Sequence, residues 1–258
     1  MNGPTSVASD VRFDFAGKRI WITGASLGRA VAEAFSDAGA RVALTARTNT
    51  ALGAVAEPLR GRGDDVLQLP TDVASGDAVR RAVDELETRW GGLDVLVNCA
   101  GISPVFQRAE DIEDDVWHSV MDVNVTGTFN CATTAVRLMR KGSSVVNVSS
   151  IHGQVGMERM AAYSTSKGAV DALSRTLALE WSTRGIRVNV VSPGYAETDM
   201  TEGLRNHPKW RQYLLDRIPV GRFAAADEIV DAVLFLSSNS SRYMTGSNLV
   251  IDGGWTAS

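Results

Sequence analysis

The sequence is poor in metal-binding and cross-linking side chains. Among 258 residues it has two cysteines, Cys99 and Cys131, and three histidines, with no CxxC pair and no histidine-rich neighbour to either cysteine. A disulfide framework or a zinc site therefore has no donors to stand on. Both cysteines read as small core residues, and no metal is expected. Long apolar runs are missing too: nothing approaches the roughly 18 residues that a membrane span needs. The opening stretch "MNGPTSVASDVRFDF" lacks the basic and apolar parts of a secretory signal. A cytoplasmic location without a membrane partner is the expectation. Clustered basic charge is also absent, and the net charge is −4. Binding nucleic acid requires a concentrated cationic surface to neutralise phosphates, so such a partner is not expected.

What is present is a composition of 44% hydrophobic and 22% charged residues, that of a globular chain able to bury a sizeable core. Six short runs are apolar almost throughout and rich in β-branched residues: 19–23, 41–45, 93–97, 144–148, 187–191 and 247–251. Such runs suit strands covered on both faces. Helical patterns of crossover length lie between them, so strand and helix alternate, which predicts parallel βαβ units in one doubly wound α/β sheet. No linker or repeat interrupts the alternation. A single domain over 15–258 is expected, preceded by a frayed tail at 1–14. Residues 193–225 carry Pro193, Gly194, Pro208 and Pro219 and read as a long excursion with a short helix around "PKWRQYLLDRI", an insertion of the kind that is more often functional than idle.

In an open parallel sheet, ligands bind beyond the carboxyl ends of the strands. Here those ends carry "TGASLG" (23–28), "ART" (46–48), "NCAG" (98–101), "SS" (149–150) and "SPGYAET" (192–198), all small, glycine-bearing or hydroxyl-bearing. "TGASLG" follows a strand and opens a helix, where glycines let a backbone approach a pyrophosphate; a plain glycine turn has the same appearance. In "YSTSK", Tyr163 and Lys167 lie four apart and share a helix face. Val170, Leu173, Leu177 and Trp181 continue that stripe, which turns the pair toward the sheet. A buried ammonium beside a phenol stabilises the phenolate, so a lowered tyrosine pKa is expected. Such a group exchanges a proton with an alcohol or carbonyl oxygen. A core tyrosine with a lysine reaching out to water has the same spacing. Ser150 ends a strand thirteen positions before Tyr163.

The ordered set "TGxxxG", "NxAG", the asparagine of "NVTG", Ser150, "YxxxK" and "PG" resembles the short-chain dehydrogenase/reductase family, and the likeness runs from "GKRIWITG" to "IDGGW". The resemblance implies a Rossmann-type sheet and an enzyme that interconverts a carbonyl and a secondary alcohol by hydride transfer. Tyr163 would be the general acid or base, Lys167 would hold the nicotinamide ribose, Ser150 would bond the substrate oxygen, and Asn124 would anchor a water joining Lys167 to solvent. Gly24, Ser26, Leu27 and Gly28 would form the dinucleotide loop, Asn98, Ala100 and Gly101 the adenosine side, and Asp72 and Val73 the adenine contact. Asp72 is equally suited to cap the helix starting near Ser75. Pro193, Gly194, Ala196 and Thr198 would line the nicotinamide, with Ala196 standing where the family has a larger aliphatic residue. Family members that use NAD carry an acid at the end of the second strand. This chain has Ala46 followed by Arg47, whose guanidinium fork matches a phosphate, so NADP(H) is expected, with NAD(H) the alternative. His152, Met157 and Tyr195 are the candidate substrate contacts, with Gln154, Phe106, Met200 and Trp210 nearby.

One departure stands out. From Thr23 to Gly39 the chain is two residues shorter than the family spacing, so Gly28 matches either the second or the third glycine of the loop. Two residues are about 3 Å of helix rise and over half a turn, enough to swing the amides that face a pyrophosphate. Arg29 then enters the first turn, where a cation opposes the helix dipole unless an anion neighbours it. The shortened loop motivates one alternative, a catalytically silent nucleotide-binding regulator. Within enzymes, the alternatives to a sugar, polyol or small-ketone substrate include a 3-oxoacyl-thioester, whose carrier would want a basic entrance. Arginines 205, 211 and 217 are scattered, which argues for the sugar type. The likeness also implies a homotetramer paired through helices at 112–141 and 160–184.

Overall fold

The computed structural model describes residues 11–61, 63 and 65–257. Among them, seven strands form one sheet: β1 (Arg19–Thr23), β2 (Arg41–Ala46), β3 (Val66–Pro70), β4 (Leu93–Asn98), β5 (Met139–Val148), β6 (Arg187–Pro193) and β7 (Asn248–Ile251). Their order is β3-β2-β1-β4-β5-β6-β7, and every pairing is parallel. Parallel neighbours require crossover helices, which cover both faces. On one face α1 (Leu27–Asp37), α2 (Asn49–Gly61) and α9 (Ala226–Ser237) pack with Ile20, Ile22 and Val97. On the other, α3 (Gly76–Trp90), α5 (Gly127–Ala135) and α6 (Ala161–Ser182) pack with Trp21, Leu96 and Val145. Successive residues Ile20, Trp21 and Ile22 are all fully buried, as expected of a strand with a helix layer on each side.

The chain order reverses between β1 and β4, so the crevice at their carboxyl ends is where this topology seats a ligand. Local chemistry fixes the adjacent helix ends. Ser75 Oγ accepts from the Ala78 amide at 3.3 Å and caps α3, whose other end stops at Gly91 in a left-handed conformation, φ 66°. Asp72 is therefore not that cap: its carboxylate accepts from the Ala74 amide at 3.0 Å and closes a local turn instead.

The structure departs from the apolar pattern in four places. Strand β3, at the sheet edge, is additional to the six runs, because its partly exposed residues lack a continuous apolar signature. Strand β5 starts at Met139, ahead of the run at 144–148, with a register shift against β4 between Leu93 and Val95. The helix expected over 112–141 is divided into α4 (Asp114–Met121), a π-helical turn at Asp122–Thr126, α5, and a 3₁₀ turn at Val136–Leu138; its last residues belong to β5. The excursion holds two helices, α7 (Asp199–Asn206) and α8 (Pro208–Leu215). A bridge between Ala196 and Ala224 closes it, and Leu214, Ile218 and Phe223 pack there on Ile151, Tyr195 and Trp255.

Of the expected tail, residues 1–10 lie outside the described residues. Residues 11–14 are irregular, yet Phe13 packs against the core. No helix among the described residues is long and apolar enough to cross a membrane.

Phe35 of α1 is fully buried and meets Phe15 edge-on, with ring centroids 4.8 Å apart. Phe35→Ala is expected to cost about 3–5 kcal/mol of stability by loss of burial and creation of a cavity, read from urea denaturation midpoints. A loss under about 1 kcal/mol would place that ring outside the tightly packed core.

Candidate active site

A cavity of about 390 Å³ opens at the carboxyl ends of β1, β4, β5 and β6. Helix α6 supplies its floor. Tyr163 and Lys167 share the face of α6 that continues through the buried Val170, Leu177 and Trp181. Lys167 is only 4% exposed, and its Nζ donates to the Val148 carbonyl at 2.8 Å. The ammonium stands 5.7 Å from the centroid of the Tyr163 ring. Burial lowers the Lys167 pKa to about 8, with Cys99 and the buried Asp171 opposing.

The expected lowering of the tyrosine pKa does not appear. Burial pushes the Tyr163 phenol above its ordinary value, and only the Ser150 hydroxyl pulls the other way. The reason is geometric: Lys167 spends a proton on a strand carbonyl and lies by the ring, so desolvation of the phenolate dominates. Without a ligand, this phenol is a protonated acid.

Ser150 reaches its place through the turn that follows β5. Its Oγ accepts from the His152 amide at 3.2 Å and caps the 3₁₀ turn Ile151–Gly153. That turn rests on the backbone of α6: a Cβ on Gly153 would lie 2.9 Å from the Lys167 carbonyl carbon. Ser149 Oγ donates to the Lys167 carbonyl at 3.1 Å and ties the same junction. The separation of Ser150 from Tyr163 is thus set by a backbone-to-backbone contact that only glycine permits.

Asn124 is fully buried within the π-helical turn, a feature that often marks functional positions. Its Oδ1 accepts from the Ile102 amide at 2.8 Å, and its Nδ2 donates to the Ile102 carbonyl at 3.0 Å and to Ser166 Oγ at 2.9 Å. It therefore pins the loop after β4. A Cβ on Gly101 would sit 3.4 Å from both Asn124 Oδ1 and Lys167 Nζ, so three elements converge on the ammonium.

In the glycine loop, Gly24 has φ 86° and a Cβ there would meet the Ala100 backbone at 2.9 Å. Gly28 lies within α1, where a Cβ would meet Ile22 Cγ2 at 3.3 Å and the Thr23 carbonyl at 3.5 Å. Close helix-to-strand packing is the work of the third glycine in such loops, so the structure agrees with the match made from the helix, which leaves the loop two residues short. Arg29 turns away and pairs with Glu33 on the surface at 3.1 Å. The first turn of α1 contains no acidic residue, and Ser26 makes no side-chain cap, which leaves its amides facing the cavity mouth for an anion.

A family model described as enoyl-(acyl carrier protein) reductase matches residues 22–256. The chain belongs to the short-chain dehydrogenase/reductase family. Within this family it is similar to a glucose 1-dehydrogenase of Gluconobacter oxydans (strain 621H), 40% identical over 249 residues that cover 94% of this chain and 93% of the relative. A 3-oxoacyl-[acyl-carrier-protein] reductase of Staphylococcus aureus is 35% identical over 244 residues, 92% of this chain and 97% of that one. The crystal structure of a gluconate 5-dehydrogenase from Burkholderia cenocepacia J2315 in complex with NADP and tartrate superposes with a TM-score of 0.91 at 33% identity, covering 96% and 98% of the two chains.

Against the short-chain dehydrogenase/reductase pattern, Gly24, Ser26, Leu27 and Gly101 line the cavity from the first and fourth strand ends. Ser150, His152, Tyr163 and Lys167 line it from β5 and α6, and Pro193, Gly194, Tyr195, Ala196 and Thr198 from β6 and its extension. Phe106 and Met200 join them, whereas Trp210 stacks edge-on against Phe106 at 4.9 Å. Other expected residues lie elsewhere. Met157 packs into the satellite cluster under the excursion, and Gln154 is exposed. Val73 is buried against Gly127, where a Cβ would meet its Cγ2 at 2.6 Å. Asn98 Nδ2 donates to Asn147 Oδ1 at 2.9 Å on the neighbouring strand, so its side-chain amide is engaged within the sheet. Arg47 and Asp72 are exposed at the ends of β2 and β3.

Cys99, Met160, Leu204 and Ile229 also line the cavity. Cys99 stands inside "NCAG" and Met160 directly precedes α6, so motif proximity could have found them; Leu204 and Ile229 arrive through tertiary packing with no local signal. Burial pushes the Cys99 thiol up to about 12, with Lys167 opposing, so it acts as a neutral wall.

Because the Gly153 site has no room for a side chain while Gly156 faces open space, Gly153→Ala is expected to cost about 1–3 kcal/mol by overpacking, and Gly156→Ala under about 0.5 kcal/mol. Equal denaturation midpoints for the two variants would show that the turn is free to shift off α6.

Proposed function

We propose that this member of the family is an NADP(H)-dependent oxidoreductase that interconverts a carbonyl and a secondary alcohol, acting through Ser150, Tyr163, Lys167 and Asn124. The observation that carries the reading is the junction itself. A protonated phenol and a serine hydroxyl interact at one cavity wall, with a buried ammonium fixed one helical turn below. Two hydroxyl donors aimed at a common oxygen stabilise charge that develops on a carbonyl during reduction, and Tyr163 then delivers its proton. In the reverse direction the same phenol accepts the alcohol proton through its ionised form. Asn124, by clamping Ile102, keeps the path beside Lys167 in one geometry.

The residues fit a nicotinamide dinucleotide. The uncapped first turn of α1, the side-chain-free approach at Gly24 and the gap at Gly101 are cradles for a backbone-bound phosphate and a ribose near Lys167. When bound, the dinucleotide supplies or accepts the hydride. Arg47, exposed directly after Ala46 and followed by Thr48 and Asn49 rather than an acid, supports NADP(H) over NAD(H), as does the NADP in the similar gluconate 5-dehydrogenase.

The sugar-type relatives support a sugar, polyol or small ketone as substrate. A 3-oxoacyl thioester is the second reading, favoured by the similar acyl-carrier-protein reductases. Against it, Arg205 is committed to Thr201 Oγ1 and the Thr198 carbonyl and Arg217 to the faces of Tyr213 and Trp255, which leaves Lys209 and Arg211 as the exposed cations of α8 for an acidic carrier. A silent regulator has no need of the Ser150, Tyr163 and Lys167 arrangement. Pairing into a homotetramer through the α5 and α6 faces would cover Phe129 and Leu179, which are large and exposed there.

Tyr163→Phe is expected to lower kcat for carbonyl reduction by roughly 10²- to 10⁴-fold with NADPH binding retained; full turnover by the variant would sink the assigned chemistry. Lys167 has a depressed pKa, so it is a cation below about 8 and neutral above. NADPH affinity, followed by cofactor fluorescence, should therefore weaken as pH rises through that value, and the dependence should vanish in Lys167→Met. Arg47→Asp is expected to shift the NADPH-to-NADH preference by about 10- to 100-fold toward NADH; an unchanged ratio of kcat/KM would remove Arg47 from the phosphate.

A further inference from the structure

We propose that the buried pair His152 and Tyr195 forms a second polar subsite beside the reacting hydroxyls, which recognises a neutral hydroxyl of the substrate and so selects hydroxyketones and polyols over plain ketones. The proposal rests on the oxidoreductase reading for the neighbouring hydroxyls and adds a specificity element to it.

His152 and Tyr195 are 5% and 7% exposed, and His152 Nε2 lies 3.0 Å from Tyr195 Oη. Both line the cavity that Ser150 and Tyr163 share, yet the proton chemistry uses neither. Around Tyr195 pack the apolar Ile151, Leu214, Ile218, Phe223 and Trp255, and the His152 ring meets Trp255 edge-on at 6.3 Å. Burying two polar groups in such a setting costs free energy unless their hydrogen-bonding capacity is met. The mutual bond does not meet it. A phenol offers one donor and two acceptor sites and a neutral imidazole one of each, and together they spend one donor and one acceptor. Whichever tautomer holds, Tyr195, which lines the cavity, keeps hydrogen-bonding capacity that the mutual bond does not use; the Val155 backbone acts on the imidazole as a hydrogen-bond partner, so the unmet capacity of the pair sits on Tyr195. A substrate hydroxyl, donor and acceptor at once, supplies what is missing.

The subsite is also uncharged. Burial holds the imidazole below its usual pKa, with Arg217 adding to the effect and the Val155 backbone opposing. Burial, with Tyr163 and Tyr213 adding and Arg217 opposing, holds Tyr195 in its phenol form. Arg217 itself lies over the Trp255 ring at 5.1 Å and does not line the cavity. Neither member of the pair offers a carboxylate a charge or a second donor fork, and the Arg217 guanidinium is turned onto the Trp255 ring, whereas an alcohol loses less hydration on entering. Register is fixed as well, because the turn that carries Ser150 carries His152, with the His152 amide on Ser150 Oγ at 3.2 Å. The distance from reacting oxygen to recognised hydroxyl is thereby built into one turn.

The test uses near-isosteric substrates with the full-length enzyme and NADPH: 2-butanone against hydroxyacetone, longer pairs in which a terminal CH₂OH replaces CH₂CH₃, and pyruvate as the carboxylate. Wild type is expected to prefer the hydroxyketone within each pair and to discriminate against pyruvate. Tyr195→Phe, which keeps the ring and its packing on Trp255, should reduce the kcat/KM ratio of hydroxyketone to plain ketone by about tenfold. Turnover with an unchanged ratio, or a wild-type preference for the plain ketone or pyruvate, overturns this proposal alone. No turnover of any member of any pair overturns the oxidoreductase reading and this proposal with it.

Discussion

A lysine ammonium buried at the meeting of α6 and β5 is the constraint around which the site is arranged. An unpaired cation in a protein interior costs several kcal/mol, so it must be met by hydrogen bonds or lose its proton. Lys167 does part of each: it donates to the Val148 carbonyl, and its pKa falls to about 8 because of burial. Val148 is the last residue of β5, so that bond fixes the lysine to the strand that delivers Ser149 and Ser150 in the next two positions. Asp171, one turn along α6 and itself buried, opposes the loss of the proton. With cation, strand end and helix locked together, Tyr163 has little freedom in where it stands.

The glycine loop shows how the same region absorbs a deletion. A third-glycine role for Gly28 keeps α1 tight against β1, and Gly24 keeps its left-handed turn against the Ala100 backbone. Between them only Ala25, Ser26 and Leu27 remain. The helix geometry survives because packing against Ile22 is more expensive to lose than loop length is to shorten; a loop change costs only slowly varying entropy, while lifting a helix from its strand forfeits buried contact. The shorter spacing is therefore taken up between Gly24 and Gly28, where Ala25, Ser26 and Leu27 line the cavity.

Much of this was legible in the sequence because its signals are local or periodic. Five of the strands begin within one residue of their apolar runs, and the Tyr163 and Lys167 stripe on α6 follows directly from helical spacing. The edge strand β3 escaped because Gln68 and Pro70 interrupt its apolar run and one side has no neighbour to demand burial. The π-helical turn around Asn124 escaped because its signal is tertiary: the turn widens where Asn124 reaches across to Ile102, and no residue preference announces that. Asn98 and Met157 were drawn toward the site by their nearness to motif residues, whereas side-chain direction is decided by the packing partner: Asn147 across the sheet for Asn98, and the satellite cluster under the excursion for the loop residue Met157. The direction of the tyrosine pKa escaped for a different reason. Proximity of opposite charge is readable from spacing, but its contest with desolvation depends on where the ammonium points.

That contest also separates the two buried phenols of the cavity. Both are raised by burial, so neither is acidic by environment alone. Tyr163 alone has a neighbouring hydroxyl, that of Ser150, which favours its ionised form. Tyr195 has instead the proximity of Tyr163 and Tyr213, which add to the cost of ionising it, with Arg217 opposing. Two like acids side by side ionise in sequence, and the first to go suppresses the second. Under the proposed mechanism Tyr163 is therefore the phenol that would trade its proton, and Tyr195 the one that would stay a neutral hydrogen-bonding group. The difference lies in the Ser150 hydroxyl on one side and, on the other, the neighbouring phenols Tyr163 and Tyr213, which outweigh Arg217; the 3₁₀ turn that Ser150 caps carries His152 to Tyr195.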